Sequence, residues 1–135
     1  MRLVFLSLLI CLSRSVFAQG SAIDTNAWQA IQHDILQPLQ SGDRERFLDK
    51  VKFPFYYGAE TLNRQMVEGR MDEIFTPAFC AEIADQTGYI NAESNGESIR
   101  KKCQNGPPGY VSIVFFRLLR DGTWQLSGID MYQRL

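Results

Sequence analysis

The last quarter of the chain constrains the fold most. Two runs rich in β-branched and aromatic residues, 110–120 and 123–132, flank Asp121-Gly122. Asp-Gly between such runs predicts a two-residue hairpin turn. In that register Arg120 faces Thr123, Leu119 faces Trp124, Arg117 faces Leu126 and Ile113 faces Asp130. Strand side chains alternate, so one face carries Val111, Ile113, Phe115, Arg117, Leu119, Trp124, Leu126, Asp130 and Tyr132. The other carries Ser112, Val114, Phe116, Leu118, Gln125, Ser127, Ile129 and Met131. Both faces are largely apolar. Such a sheet needs cover on both sides, helices on one and a partner as a candidate for the other.

The helices lie upstream. Asp24, Thr25 and Asn26 offer N-caps, and Trp28, Ile31, Ile35 and Leu39 follow at helical spacing with Leu36 beside them. Pro38 is expected to kink or end that helix, because it lacks an N–H and its ring clashes with the preceding turn. Ser41-Gly42-Asp43 breaks the chain and caps a short helix over about 44–50 that buries Phe47 and Leu48. Residues 51–57 read as a strand, and Pro54 places it at an edge or a bulge. A helix is predicted over 63–75, with Val67, Met71, Ile74 and Phe75 as its apolar stripe. Thr76-Pro77 caps another, carrying Phe79, Cys80 and Ile83 and ending near Gly88. Residues 91–109 are polar and turn-rich, with Asn95-Gly96 and the run from Gln104 to Gly109.

The N-terminus reads as a secretory signal. Met1-Arg2 precedes an apolar run from Leu3 to Leu12, and Val16-Phe17-Ala18 supplies small residues at −3 and −1 of a cleavage site. The run is shorter than the ~20 residues a bilayer span needs. Lipidation at Cys11 is disfavoured by Ile10, which stands where a small residue is expected. The expectation is a signal peptide over 1–18, one domain over 19–135, and a periplasmic or secreted protein. Removing 18 of the 135 residues leaves 117, the size of a single domain. Losing Arg2 and Arg14 takes the 14 basic residues to 12 against 15 acidic, a net charge of −3. That balance argues against nucleic acid and against an anionic membrane surface as partners. Cys80 and Cys103 remain, and an even pair in an oxidising compartment predicts a disulfide. Closing that loop would contribute roughly 3 kcal/mol.

Helices first, a short strand, more helix, then long antiparallel strands resemble the NTF2-like superfamily. The residues that carry the resemblance are Ser41-Gly42-Asp43 with Phe47, then Phe53-Pro54-Phe55, then Arg120 to Leu126 before Ile129-Asp130. It implies an α+β fold in which N-terminal helices pack on a curved antiparallel sheet, forming a small cone with a pocket between the layers. It does not choose a function, because that superfamily hosts isomerases, hydrolases and non-catalytic binders.

Residues that could carry chemistry are few. His33, the one histidine, falls off the Trp28–Ile31–Ile35 stripe and reads as a helix-surface residue. With the two cysteines paired, no zinc set remains. No G-x-S-x-G, Walker A or G-x-G-x-x-G motif occurs. No metal and no cofactor is called for. Arg117 and Asp130 share a face with Phe115, Trp124 and Leu126, four strand positions apart, ~13 Å. They are either pocket groups, with Asp130 as an acid–base residue, or rim charges paired to helix residues such as Glu73. The candidate ligand pocket is therefore Trp28, Tyr56, Phe115, Arg117, Trp124 and Asp130.

Two functional readings follow. The first is an exported, non-catalytic binding protein that holds a partner protein or a small apolar ligand, in the manner of an inhibitor or immunity protein. The second is a small-pocket isomerase or hydrolase, with Asp130 as general base and Tyr56 or Tyr57 as hydrogen-bond donor. A filled interior with an exposed sheet face favours the first, and a polar cluster deep in a closed pocket the second.

Overall fold

A computed structural model describes residues 23–91 and 97–135. The expected leader, its Val16-Phe17-Ala18 cleavage site and the Asn95-Gly96 turn lie outside the described residues.

Local capping chemistry sets most helix starts. The Asp24 carboxylate accepts from the N–H groups of Asn26 (2.7 Å) and Ala27 (3.3 Å) and opens α1 (Thr25–Ile31). The helix continues through a π-helical turn, Gln32–Leu36, into α2 (Gln37–Ser41). Pro38 therefore does not end it. The Gln37 N–H reaches five residues back to the Gln32 carbonyl, so the turn is widened just where the proline ring would meet it. Asp43 caps α3 (Arg44–Leu48), and Thr76 caps α6 (Pro77–Ala84) with Pro77 at its first position. The single helix expected over 63–75 is two: α4 (Arg64–Gly69), capped by Asn63, and α5 (Met71–Ile74). The break falls at Arg70, directly after a glycine of low helix propensity, and the guanidinium is held there by Glu60 and Glu73.

Six strands form one sheet in the order β2-β1-β6-β5-β4-β3. They are β1 (Val51–Tyr57), β2 (Glu60–Leu62), β3 (Tyr89–Asn91), β4 (Ser98–Cys103), β5 (Tyr110–Leu118) and β6 (Trp124–Gln133). The architecture is α+β, helices packed on one face of the sheet. The sheet is mixed rather than wholly antiparallel, since β1 runs parallel to β6. The connection between those strands contains α4 to α6, long enough to supply the crossover that parallel pairing requires. Pro54 sits where β1 is least regular. Pairing to β6 shifts register between Val51 and Tyr56, and pairing to β2 begins only at Phe55.

The terminal hairpin corrects the expected register. Its loop has three residues, Arg120, Asp121 and Gly122, closed by the Leu119 N–H on the Thr123 carbonyl at 2.8 Å. Gly122 has φ 86°, the left-handed position that ends a type I turn in such loops. Leu118 therefore faces Trp124, Arg117 faces Gln125 and Phe116 faces Leu126. A β-bulge at Ser127 then restores the count, so that Phe115 faces Gly128 and Ile113 faces Asp130 as expected. Trp124 and Leu126 consequently join Val114, Phe116 and Ile129 on the helix-facing side.

That side is filled. Ile31, Ile35, Leu36, Phe47, Leu48, Phe55, Val67, Phe79, Ile83, Val114, Phe116 and Ile129 are buried in one continuous core. Phe47 meets Phe75 edge-on at 5.1 Å between ring centres. Among the described residues these side chains occupy the space between helices and sheet, where the cone pocket is expected.

The expected Cys80–Cys103 disulfide is not formed; both thiols are free. Cys80 is turned back along its own helix, its Sγ 3.5 Å from the Phe75 carbonyl. Cys103 is fully buried at the end of β4, among Lys101 and Glu82. Burial raises both thiols, Cys103 to about 12, with the Glu82 carboxylate adding to it.

Candidate binding groove on the outer sheet face

Alternation along β4, β5 and β6 decides which side chains escape the core. Ile99, Lys101 and Cys103 point inward from β4, so Ser98, Arg100 and Lys102 point outward. On β5, Ser112, Val114 and Phe116 are buried, and Val111, Ile113, Phe115 and Arg117 face out. On β6 the bulged Ser127 and, past it, Asp130 line that outer face.

A groove of about 580 Å³ lies there, lined by Lys52, Tyr56, Glu97, Ser98, Phe115, Arg117, Ser127, Gly128 and Asp130. Gly128 shapes its floor. A Cβ at this position would stand 3.0 Å from the Tyr56 carbonyl oxygen, so only glycine lets β1 approach this closely beside the bulge. Tyr56 is half exposed at the wall. Lys52, Arg117 and Asp130 form no ion pair among the described residues. Arg117 and Asp130 line one groove yet stand four residues apart along the strands, ~13 Å, too far to pair.

The helical side contrasts with this. Arg44 pairs with Asp72 at 2.9 Å, Arg64 with Asp49 at 3.0 Å and Glu45 at 3.2 Å, and Arg70 with Glu73 at 2.9 Å and Glu60 at 3.1 Å. The two carboxylates raise Arg70 further above its ordinary range, and Arg70 lowers Glu73. The guanidinium also lies 5.5 Å from the centre of the Tyr57 ring.

A second groove, about 650 Å³, adjoins the first at Asp130 and includes Tyr57, Glu60, Glu73, Tyr110 and Tyr132. Burial, then the Glu73 charge, raises the Tyr57 phenol, so it stays protonated at neutral pH.

The structure thus brings together four of the six expected pocket residues: Tyr56, Phe115, Arg117 and Asp130. It sends the other two elsewhere. Trp124 is buried on the opposite face, and Trp28 packs inside with its ring 4.9 Å from Tyr89. The three-residue loop is the cause for Trp124. Sequence reading missed Lys52, Glu97, Ser98, Ser127 and Gly128. Lys52 was legible, since it alternates in step with Tyr56. His33 is a surface residue, with Nδ1 2.8 Å from the Asp34 carboxylate.

A third polar cluster is buried. Lys101 is 3 % exposed, and its ammonium donates to the carbonyls of Glu82 and Asp85 at the C-terminal end of α6. The Tyr89 hydroxyl donates to the Ile83 carbonyl at 2.7 Å, with Lys101 Nζ 5.0 Å from its ring centre. Burial lowers Lys101 and raises Tyr89. These groups complete a helix end rather than line a cavity. Among the described residues no group of three or more His, Cys, Asp or Glu is placed to hold a metal, and no helix is long and apolar enough to cross a membrane.

No protein-family model matches the chain, and no curated protein matches it. Among solved structures it is similar to RV0760c from Mycobacterium tuberculosis, determined in complex with estradiol-17beta-hemisuccinate. That match has 14% identity and a TM-score of 0.40, and covers 83% of this chain and 96% of the other.

Proposed function

We propose that this is an exported, non-catalytic binding protein on an NTF2-like plan, and that the groove on the outer sheet face is its binding surface. The element order, helices before a strand pair and then a long C-terminal hairpin, supports the NTF2-like assignment. The charged start, apolar run and Val-x-Ala site support export to the periplasm or beyond. One observation carries the binding reading. The space between helices and sheet is packed with apolar side chains, while the Tyr56 and Phe115 rings meet Lys52, Arg117 and Asp130, which form no ion pair among the described residues, in a groove on the far side. Binding energy at a surface of this kind concentrates in a few large side chains at its centre, here Tyr56 and Phe115.

The test uses the exported protein as bait in envelope extract, beside Tyr56→Ala and Phe115→Ala. A protein retained by the wild type and lost from both folded variants supports the reading. Equal retention by all three refutes it. The enzyme reading draws on one feature: Asp130, which forms no ion pair among the described residues, lines both grooves, and Tyr57 also lines the second. Asp130→Asn separates the two. Asn keeps shape and an acceptor but loses basicity, so a binder keeps its function, whereas an enzyme loses a factor of ~10²–10⁴ in turnover.

A further inference from the structure

We infer that the partner of the outer sheet face is an acidic polypeptide segment laid across the strands. The inference rests on the groove being the binding face, and names the chemistry that fits it.

Four cations stand on that face: Lys52 on β1, Arg100 and Lys102 on β4, and Arg117 on β5. None forms an ion pair within the described residues, whereas Arg44, Arg64 and Arg70 on the helical side are all paired. Among the described residues two carboxylates line the groove, Glu97 and Asp130, against these four cations, an excess of two positive charges. The whole chain has a net charge of −1. The sign of this face is therefore opposite to that of the rest of the surface, an arrangement that orients an acidic partner and repels it elsewhere.

The spread of the charges sets the size of the partner. Lys102 faces Ile113, four residues from Arg117, which separates those cations by ~13 Å along the strands. From β4 to β1 is three strand spacings in the sheet order, ~14 Å. A small anion reaches one or two of these groups. An extended peptide, at ~3.3 Å per residue, reaches all four within about five residues. Between the cations lie the Phe115 and Tyr56 rings, giving an apolar centre with a charged rim, the anatomy of a protein interface.

The experiment titrates the full exported protein with a fluorescein-labelled peptide of about eight residues that alternates glutamate with leucine or phenylalanine, enough to span ~14 Å when extended. Saturable binding is expected. Charge reversal by Lys102→Glu with Arg117→Glu should weaken it roughly tenfold or more. Raising salt from about 50 to about 500 mM should abolish it, because screening shortens below the charge separation. Both side chains are exposed, and the thermal transition of the double variant verifies that it is folded. The inference is overturned by no binding, by binding indifferent to the charge reversal, or by displacement of the peptide by phosphatidylglycerol vesicles or a single-stranded oligonucleotide. Sedimentation showing the wild type self-associated through this face overturns it as well. The same variants as bait separate the two levels. Capture lost with Tyr56→Ala and Phe115→Ala but kept by the charge-reversed protein retains the groove and refutes the acidic partner. Capture unaffected by either set refutes both.

Discussion

Replacing Lys101 by Met tests the buried helix end in α6. Lys101 Nζ makes two hydrogen bonds there, to the Glu82 and Asp85 carbonyls. The two losses are unequal. The Glu82 carbonyl keeps a second donor, the Asp85 N–H at 3.2 Å, so it loses one bond of two. The Asp85 carbonyl has no other donor among the described residues, so it loses its whole hydrogen bonding. Hydrogen bonds from a charged donor contribute ~1.5–3 kcal/mol each, and loss of a cation at a helix C-terminus adds ~0.3–1 kcal/mol. Against this, burial holds the Lys101 pKa down, so removing the charge returns part of its desolvation cost. Met retains most of the apolar stem. The balance is a loss of about 3 kcal/mol, which at ~4 °C per kcal/mol lowers Tm by ~12 °C. Urea unfolding should show the loss in the midpoint with an unchanged slope. Tyr89→Phe, which removes only the 2.7 Å bond to Ile83, should cost ~1–1.5 kcal/mol. A Lys101→Met protein within about 0.5 kcal/mol of wild type, or above it, would refute the argument. Lys101 would then be a tolerated buried charge rather than a cap.

Cys103 is raised from 9.0 to about 12, so the folded state holds a proton that the unfolded chain releases. Stability is then full below pH 9 and declines toward pH 12; Cys103→Ala should flatten that limb by up to ~1.4 kcal/mol per pH unit in pH-resolved urea unfolding. Gly128→Ala forces a Cβ to 3.0 Å from the Tyr56 carbonyl and should cost ~1–3 kcal/mol, measured as a fall in Tm, while weakening whatever binds the groove. Unfolding the chain that begins at Gln19 without reductant should expose two titratable thiols, Cys80 and Cys103; a mass lower by two hydrogens would restore the bridge between them. Intact mass of the exported protein should correspond to a chain beginning at Gln19, and a species retaining residues 1–18 would remove the case for cleavage.

Features governed by neighbouring residues were readable in the sequence. Asp24, Asp43 and Thr76 cap helices because a side-chain oxygen two or three residues upstream of an orphan N–H is sufficient. Features governed by a count across the sheet were not. Asp121-Gly122 suits a two-residue turn, yet Gly122 fills the left-handed position of a three-residue loop equally well. The choice depends on which strand residues must reach the core. Strand β4 was hidden in a stretch read as polar, because Lys101-Lys102 suggests solvent while Lys101 points inward to a helix end. The cysteines were matched by number, and number carries no information on direction; Cys80 faces its own helix. Of the site, Tyr56, Phe115, Arg117 and Asp130 were found, since the far half of the hairpin register survives the error in the near half. The tryptophans were misplaced where it does not.

The extra loop residue and the bulge at Ser127 amount to a compensated frameshift in space. With this sequence, a two-residue turn would set Trp124 opposite Leu119 and carry Trp124 and Leu126 to the outer face, whereas the three-residue loop without the bulge would set Asp130 opposite Ser112 and carry it inward. The loop thus decides what enters the core, and the bulge decides what reaches water. The groove owes its Asp130 carboxylate to an irregularity three residues away, and the core owes its tryptophan to a loop that touches neither.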